Sequence, residues 1–278
     1  MAMRFKSTVN QRLNRDRKQA GRRAFTRLDL MVVIATVLLM GVWVGFMYLG
    51  EQGRITRCTS NLAALGRAMH NYANDHDGGI PAAGVDIGGT RTSWDTTLFP
   101  YLNPKLAKSA GAYEKRELRK AVTPIFFCPS DSASHHESPR SYAMAGNDMA
   151  PENWPPGRDS ATGVGLWWDK RTVLALLDEE ALKKPEILPV VKLSSITSPA
   201  DTVLLTEFID PNNTLGSIRQ TSVSGTSQQR QVFKDGGAKF HRGKFNYLMV
   251  DGHVELLALL QTGSLDGSAG IWSLKKGN

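Results

Sequence analysis

The apolar positions of this chain change their pattern at Gly50. From Leu30 to Gly50 runs LMVVIATVLLMGVWVGFMYLG, twenty-one residues without a charge. At about 1.5 Å rise per residue this is long enough to cross a hydrocarbon core of ~30 Å. Beyond it the apolar residues thin to Ile55, Cys58, Leu62, Leu65, Met69 and Tyr72, spaced 3, 4, 3, 4 and 3 apart, with Asn61, Arg67 and Asn71 between them. That spacing is one stripe of a helix. Together the two patterns predict a single long helix over 25–74, apolar all round in its first half and amphipathic in its second. Its stripe must pack on the domain that follows. Gly78, Gly79 and Pro81 then end the helix with turn chemistry. Gly41 and Gly45, four apart, offer a small-residue face for another membrane helix.

The remaining pattern is shorter and strand-like. A charged stretch over 112–121 predicts a helix, and Ile125–Cys128, bounded by prolines, a short buried strand. VVKLSSI (190–196) and TVLLTEFI (202–209) predict two strands around a Thr197–Ala200 turn, and polar residues 212–231 a long exposed loop or partly disordered insertion. Near the C-terminus, 245–250 and 253–259 predict a hairpin around a two-residue Asp251-Gly252 loop. In that register paired residue numbers sum to about 503, so His253 faces Val250 and His241 stands far from the turn. The fold class is therefore α+β: one long N-terminal helix packed on a mostly antiparallel β-sheet domain, divided as 25–50, 51–76 and 77–278.

Charge gives the helix a direction. Residues 1–28 hold nine basic side chains and one acid, a net charge of +8 that equals the charge of the whole chain. The other 250 residues are neutral, so the basic pI is a topology signal and says little for nucleic-acid binding, which needs basic residues gathered on a folded face. By the positive-inside rule the N-terminus is cytoplasmic and everything after Gly50 lies outside. No A-x-A-like site follows the apolar run, which argues against a removed secretory signal and against a twin-arginine signal at Arg22-Arg23. Outside the membrane Cys58 and Cys128 can pair, stabilising by ~4 kcal/mol in the chain-entropy model, or remain two separate buried thiols.

Chemistry is sparse. His241, Asp251 and His253 suggest an alternative, an uncleaved membrane-anchored domain for metal-dependent hydrolysis or ligand binding, but an extended strand keeps His241 away from the turn and only a fold-back through Gly243 brings the three together. Asp75, Asp77 and Asp86 lack the glycine and bidentate Glu of a calcium loop. Ser130, Asp131, His135 and His136 lack a nucleophile elbow and read as solvated. Glu207, ending an apolar strand, needs a partner, for which a backbone amide or an arginine suffices. These residues imply no enzyme activity and no cofactor.

Residues Arg23–Ala35, RAFTRLDLMVVIA, resemble the prepilin-type processing segment of type IV pilins and type II secretion pseudopilins. The resemblance implies cleavage by a prepilin peptidase/methyltransferase after Ala24, freeing 1–24 as a basic leader and leaving Phe25 as a methylatable N-terminus. Asp29 takes the place of the family's fifth-position Glu, which meets the N-terminal amine of a neighbouring subunit during assembly. Arg27 replaces the usual Leu. The rest of the chain resembles a pseudopilin-like branch marked by a His, nine residues and Asp-Gly, here His241, Asp251 and Gly252. Cys58–Tyr72, Cys128–Asp131, Ser141–Met144 and Asp251–Val254 look like its other recurring blocks. The implied partners are the peptidase, other pilin-like subunits and the inner membrane.

Overall fold

The computed structural model describes residues 26–107, 112–135, 138–147, 162–228, 241–263 and 270–274. Ala24 and Phe25 lie outside them. The chain divides into two units, Met1–Gly50 and Glu51–Asn278. A single helix, α1 (Arg27–Asp75), contributes to both. In the first unit its large apolar side chains are exposed, and its most apolar stretch has a mean hydropathy of 2.5 with none of it buried. The core helix of a soluble protein would bury such residues, so this part of α1 fits a single-pass membrane anchor.

From Glu51 onward the same helix turns one face inward. Ile55, Cys58, Leu62, Leu65 and Met69 are buried and Tyr72 half-buried, as the stripe predicts. Gly66 lets α1 lie close on the sheet: a Cβ there would stand 2.9 Å from Leu248 Cδ1, so a larger residue would require the Leu248 side chain to shift. Gly78 N–H donates to Ala73 O at 2.8 Å and ends the helix, with Asp77 (φ 52°) and Gly78 (φ 75°) in the left-handed region.

After α1 come β1 (Gly84–Ile87), β2 (Thr90–Ser93), α2 (Trp94–Leu102), α3 (Pro104–Ala107), α4 (Ala112–Phe126), β3 (Tyr142–Ala145), β4 (Trp167–Asp169), α5 (Lys170–Leu176), β5 (Val203–Glu207), β6 (Ser222–Val223), β7 (Lys244–Met249) and β8 (Val254–Ala258). They form a three-stranded sheet, β2-β1-β4, and a five-stranded one, β6-β3-β5-β7-β8. Within the larger sheet β3–β5, β5–β7 and β7–β8 are antiparallel, and β3–β6 is parallel. The architecture is pilin-like α+β, a long helix laid on a mostly antiparallel sheet. Phe245–Met249 are all buried, so β7 is covered on both faces. Leu248 meets α1 on one, and Tyr247 packs edge-on to Trp272 on the other, their ring centroids 6.4 Å apart.

Four local expectations need correction. Ile125 and Phe126 extend α4 instead of forming a strand, because Val122 and Phe126, four apart, bury one helical face. Residues 190–196 contain a 3-10 turn at Leu193–Ser195 and one isolated bridge, Gly79↔Lys192, where a strand was predicted. The described part of the 212–231 segment is no exposed insertion: Asn213, Leu215, Thr221, Val223 and Gln228 are buried, and β6 joins the sheet. The hairpin loop has three residues. Leu248 pairs with Val254, Met249 N–H donates to His253 O at 2.8 Å, and Gly252 takes φ 97°. The extra loop residue is the bulge that a left-handed glycine permits, and it shifts the register by one.

A buried ion pair ties the sheets' surroundings together. Arg140 Nη1 and Asp95 Oδ1 meet with both side chains fully buried. Arg140 also donates to Asn213 Oδ1 at 2.6 Å and to the carbonyls of Ser217 and Arg219, while Gly216 N–H donates to Asp95 Oδ2 at 2.6 Å.

Candidate functional site

The start of α1 carries the first site. Asp29 N–H donates to Thr26 Oγ1 at 3.2 Å, and Thr26 N–H donates back to Asp29 Oδ2 at 3.0 Å. This is a reciprocal cap of the helix N-terminus with Asp at the third position. The Thr26 hydroxyl also donates to Asp29 Oδ2, at 2.8 Å. Asp29 is exposed, so its carboxylate faces outward at the head of the apolar segment.

The second site lies where four elements of the folded domain converge. Glu207 ends β5, and β7 runs beside it. Glu207 Oε2 accepts Asn246 N–H at 2.7 Å, and Oε1 accepts the Asn246 side-chain amide at 2.9 Å. His241 stands three residues before β7, where His241 (φ 42°), Arg242 (φ 60°) and Gly243 (φ 82°) are successively left-handed. That unusual run costs roughly 1–2 kcal/mol for each non-glycine residue and turns the imidazole inward. Its Nε2 lies 2.9 Å from Glu207 Oε1 and 3.4 Å from Cys128 Sγ, and its Nδ1 lies 3.2 Å from Glu51 Oε1. Cys58 on α1 is joined to Cys128 after α4 by a disulfide, with Cα atoms 5.1 Å apart. Thr59 Oγ1 to Asn246 Oδ1 at 2.9 Å completes the wall from α1. Behind it Gln228 donates to Thr206 Oγ1 and Glu207 O, and Tyr247 donates to Gln228 Oε1 at 2.7 Å.

Two carboxylates thus flank one buried imidazole. Burial disfavours the charged ring, but the hydrogen bonds and charges of Glu207 and Glu51 outweigh it and raise the His241 pKa above the ordinary value. For Glu51 burial acts upward, while Arg54 and His241 prevail and lower it. Burial and the nearby Glu207 charge push the Tyr142 and Tyr247 phenols upward.

A pH dependence follows. His241 binds its proton more tightly folded than unfolded, so its contribution to stability is complete below about pH 6.5 and is lost as pH rises through the raised folded value. His253 shares this window: burial lowers its pKa, but Asp251 and Glu255 raise it on balance. Its 39% exposed side chain leaves that pair well screened. Urea unfolding across neutral pH should show stability falling as pH rises, with most of the slope retained in His253→Asn. A slope that vanishes in that variant would overturn the assignment to His241.

The predicted histidine and Asp-Gly residues separate. The left-handed turn at Gly243 carries His241 to Glu207 and Glu51, while Asp251 sits at the hairpin tip, its Oδ1 2.6 Å from His253 Nδ1. Gly252 supplies the bend there. His241, Asp251 and His253 therefore do not form the metal triad considered from sequence; among the described residues the set close enough to hold an ion is Cys58, Cys128, Glu207 and His241. The backbone amide expected for Glu207 is present, supplied by Asn246, but its ionic partner is a histidine instead of an arginine. Asp131 is buried instead of solvated. It accepts the Ser141 hydroxyl at 2.7 Å and the Ala133 amide at 2.9 Å, with His135 Nε2 at 3.1 Å. His136 lies outside the described residues. Asp77 pairs with Lys192 and Asp86 with Arg91, in separate places. Glu51 and Asn246 were not singled out from sequence. Their signals were the first charge after the apolar run and a lone amide inside an apolar strand.

Comparison with known proteins adds one finding. A family model described as "Protein of unknown function (DUF1559)" matches residues 51–207. No curated protein and no solved structure matches the chain. That family and the long apolar N-terminal helix are compatible with a pilin-like membrane protein.

Proposed function

Because the chain belongs to the DUF1559 family, we propose that it is a pilin-like subunit, cut by a prepilin peptidase between Ala24 and Phe25 and assembled through its N-terminal helix. The observation that carries this reading is the two-part character of α1. An unbroken 49-residue helix presents exposed apolar side chains before Gly50 and a buried stripe after Glu51. Such a helix is anchored in lipid at one end and carries a folded domain at the other, so lateral packing of its apolar half builds a fibre or pseudopilus. Asp29 supports the reading chemically. Its carboxylate accepts the Thr26 amide and hydroxyl at the head of the helix, and in the assembled fibre it meets the free amine of a neighbouring subunit's Phe25, removing two charges from lipid as a pair. The domain sits on the periplasmic side, the machine is of type II secretion or type IV pilus type, and the role is assembly without catalysis.

The test is the intact mass of protein extracted from membranes of cells with and without the prepilin peptidase. The expected result is loss of residues 1–24 only where the peptidase is present, with the net charge of the chain falling from +8 to +1. A chain beginning at Met1 in both strains would sink the proposal.

A further inference from the structure

The geometry points to a redox-gated zinc site formed by Cys58, Cys128, Glu207 and His241: when the disulfide is reduced, these four side chains bind one divalent zinc ion. Their donor atoms already lie within 4.8 Å of one another, and all four residues are buried. In a tetrahedral zinc centre, donors ~2.0–2.3 Å from the metal stand roughly 3.3–3.8 Å apart. The cluster is therefore within about an ångström of closing, and the sulfurs must separate in any case once their bond is broken.

The donor chemistry selects the metal. Two thiolates, an imidazole and one carboxylate suit zinc and are poor ligands for calcium or magnesium. The surroundings already do what a metal-bound histidine requires. Glu51 lies 3.2 Å from His241 Nδ1 and, by accepting a hydrogen there, leaves Nε2 free to turn its lone pair inward, where Glu207 and Cys128 sit at 2.9 and 3.4 Å. Asn246 holds the Glu207 carboxylate from its backbone and side-chain amides. The ion would lie between the Nε2 of the ring and the Glu207 carboxylate, which are 2.9 Å apart.

The two states exclude one another. A phosphine reductant supplies two electrons to the S–S bond and, with water, becomes the phosphine oxide; the sulfurs take up two protons and become thiols. Zinc then displaces both thiol protons, and any proton on Nε2, to solvent, and the ring keeps its proton on Nδ1 facing Glu51. Either covalent or metal cross-link joins α1 to the segment after α4. Only the metal also engages the end of β5 and the turn before β7.

The test uses the full chain in detergent, reduced by a phosphine without oxygen and then titrated with cobalt(II), which reports its own coordination. The expected result is one equivalent bound per chain, with sulfur-to-cobalt charge transfer and the intense visible bands of a tetrahedral site, all displaced by zinc. Zinc should also protect both thiols from alkylation. The disulfide form, His241→Gln and the double variant Cys58→Ser/Cys128→Ser should give none of these signals, and Glu51→Gln should bind about 10–100-fold more weakly. Near-ultraviolet circular dichroism follows folding throughout. Absence of the thiolate band, equal uptake by the disulfide form or by His241→Gln, or a reduced chain that is unfolded and not refolded by cobalt would each overturn the proposal.

Discussion

Asp95→Ala is expected to destabilise the folded domain by about 3–5 kcal/mol, because it leaves a buried guanidinium without its counter-charge. Both side chains of the Arg140–Asp95 pair are completely buried. At this size a kcal/mol moves the melting temperature by roughly 2–4 °C, so the expected fall is about 6–20 °C. The other described partners of Arg140, one amide oxygen, two carbonyls and the Trp94 ring 5.7 Å from its guanidinium carbon, orient it without supplying a counter-charge. Gly216 N–H, bonded to Asp95 at 2.6 Å, also loses its acceptor. The double variant Asp95→Leu/Arg140→Met should cost less than Asp95→Ala alone, since desolvation is relieved together with attraction. Denaturant unfolding of the single and double variants measures both. A single variant within about 1 kcal/mol of the parent would mean that the pair is solvated, as exposed pairs are.

Cys58→Ser/Cys128→Ser is expected to cost about 4 kcal/mol, or roughly 8–16 °C in melting temperature, without abolishing the fold. The bridge spans a sequence separation of 70, and removing it releases that loop entropy to the unfolded chain. The core that remains is large: Leu62 and Leu65 on α1, Phe126 on α4, and Phe245, Tyr247 and Leu248 on β7 are all at most 1% exposed. Circular dichroism against temperature gives the shift, and chemical reduction of the parent should reproduce it. A shift in the variant but none on reduction would place the effect in side-chain packing around the bridge instead of in the cross-link.

The long helix was legible because its signals are local. Charge, apolar run and 3-4 spacing lie within one continuous segment, and each acts over a turn or two of backbone. The same holds for the helix-ending turn at Asp77-Gly78 and for the existence of the C-terminal hairpin, although its loop is one residue longer than Asp-Gly alone suggests. Local signals failed where burial decides conformation. Ile125-Phe126 suits a strand by composition, yet helical spacing with Val122 places Phe126 in the core. Residues 212–228 look soluble, but buried partners satisfy their polar groups: Arg140 and Tyr142 O for Asn213, Tyr247 for Gln228.

By itself, then, the sequence determined an apolar helix that continues into an amphipathic one, the α+β class, and the identity of the two cysteines and of His241 as residues to watch. Only the tertiary structure decided what those residues meet. Glu51 and Cys58 on α1, Cys128, Glu207 and His241 come from four distant places in the chain, and a contact between distant residues depends on strand order and on a left-handed turn at His241–Gly243. No periodicity encodes such a meeting, because periodicity reports which face of an element is buried and not which residue waits on the other side.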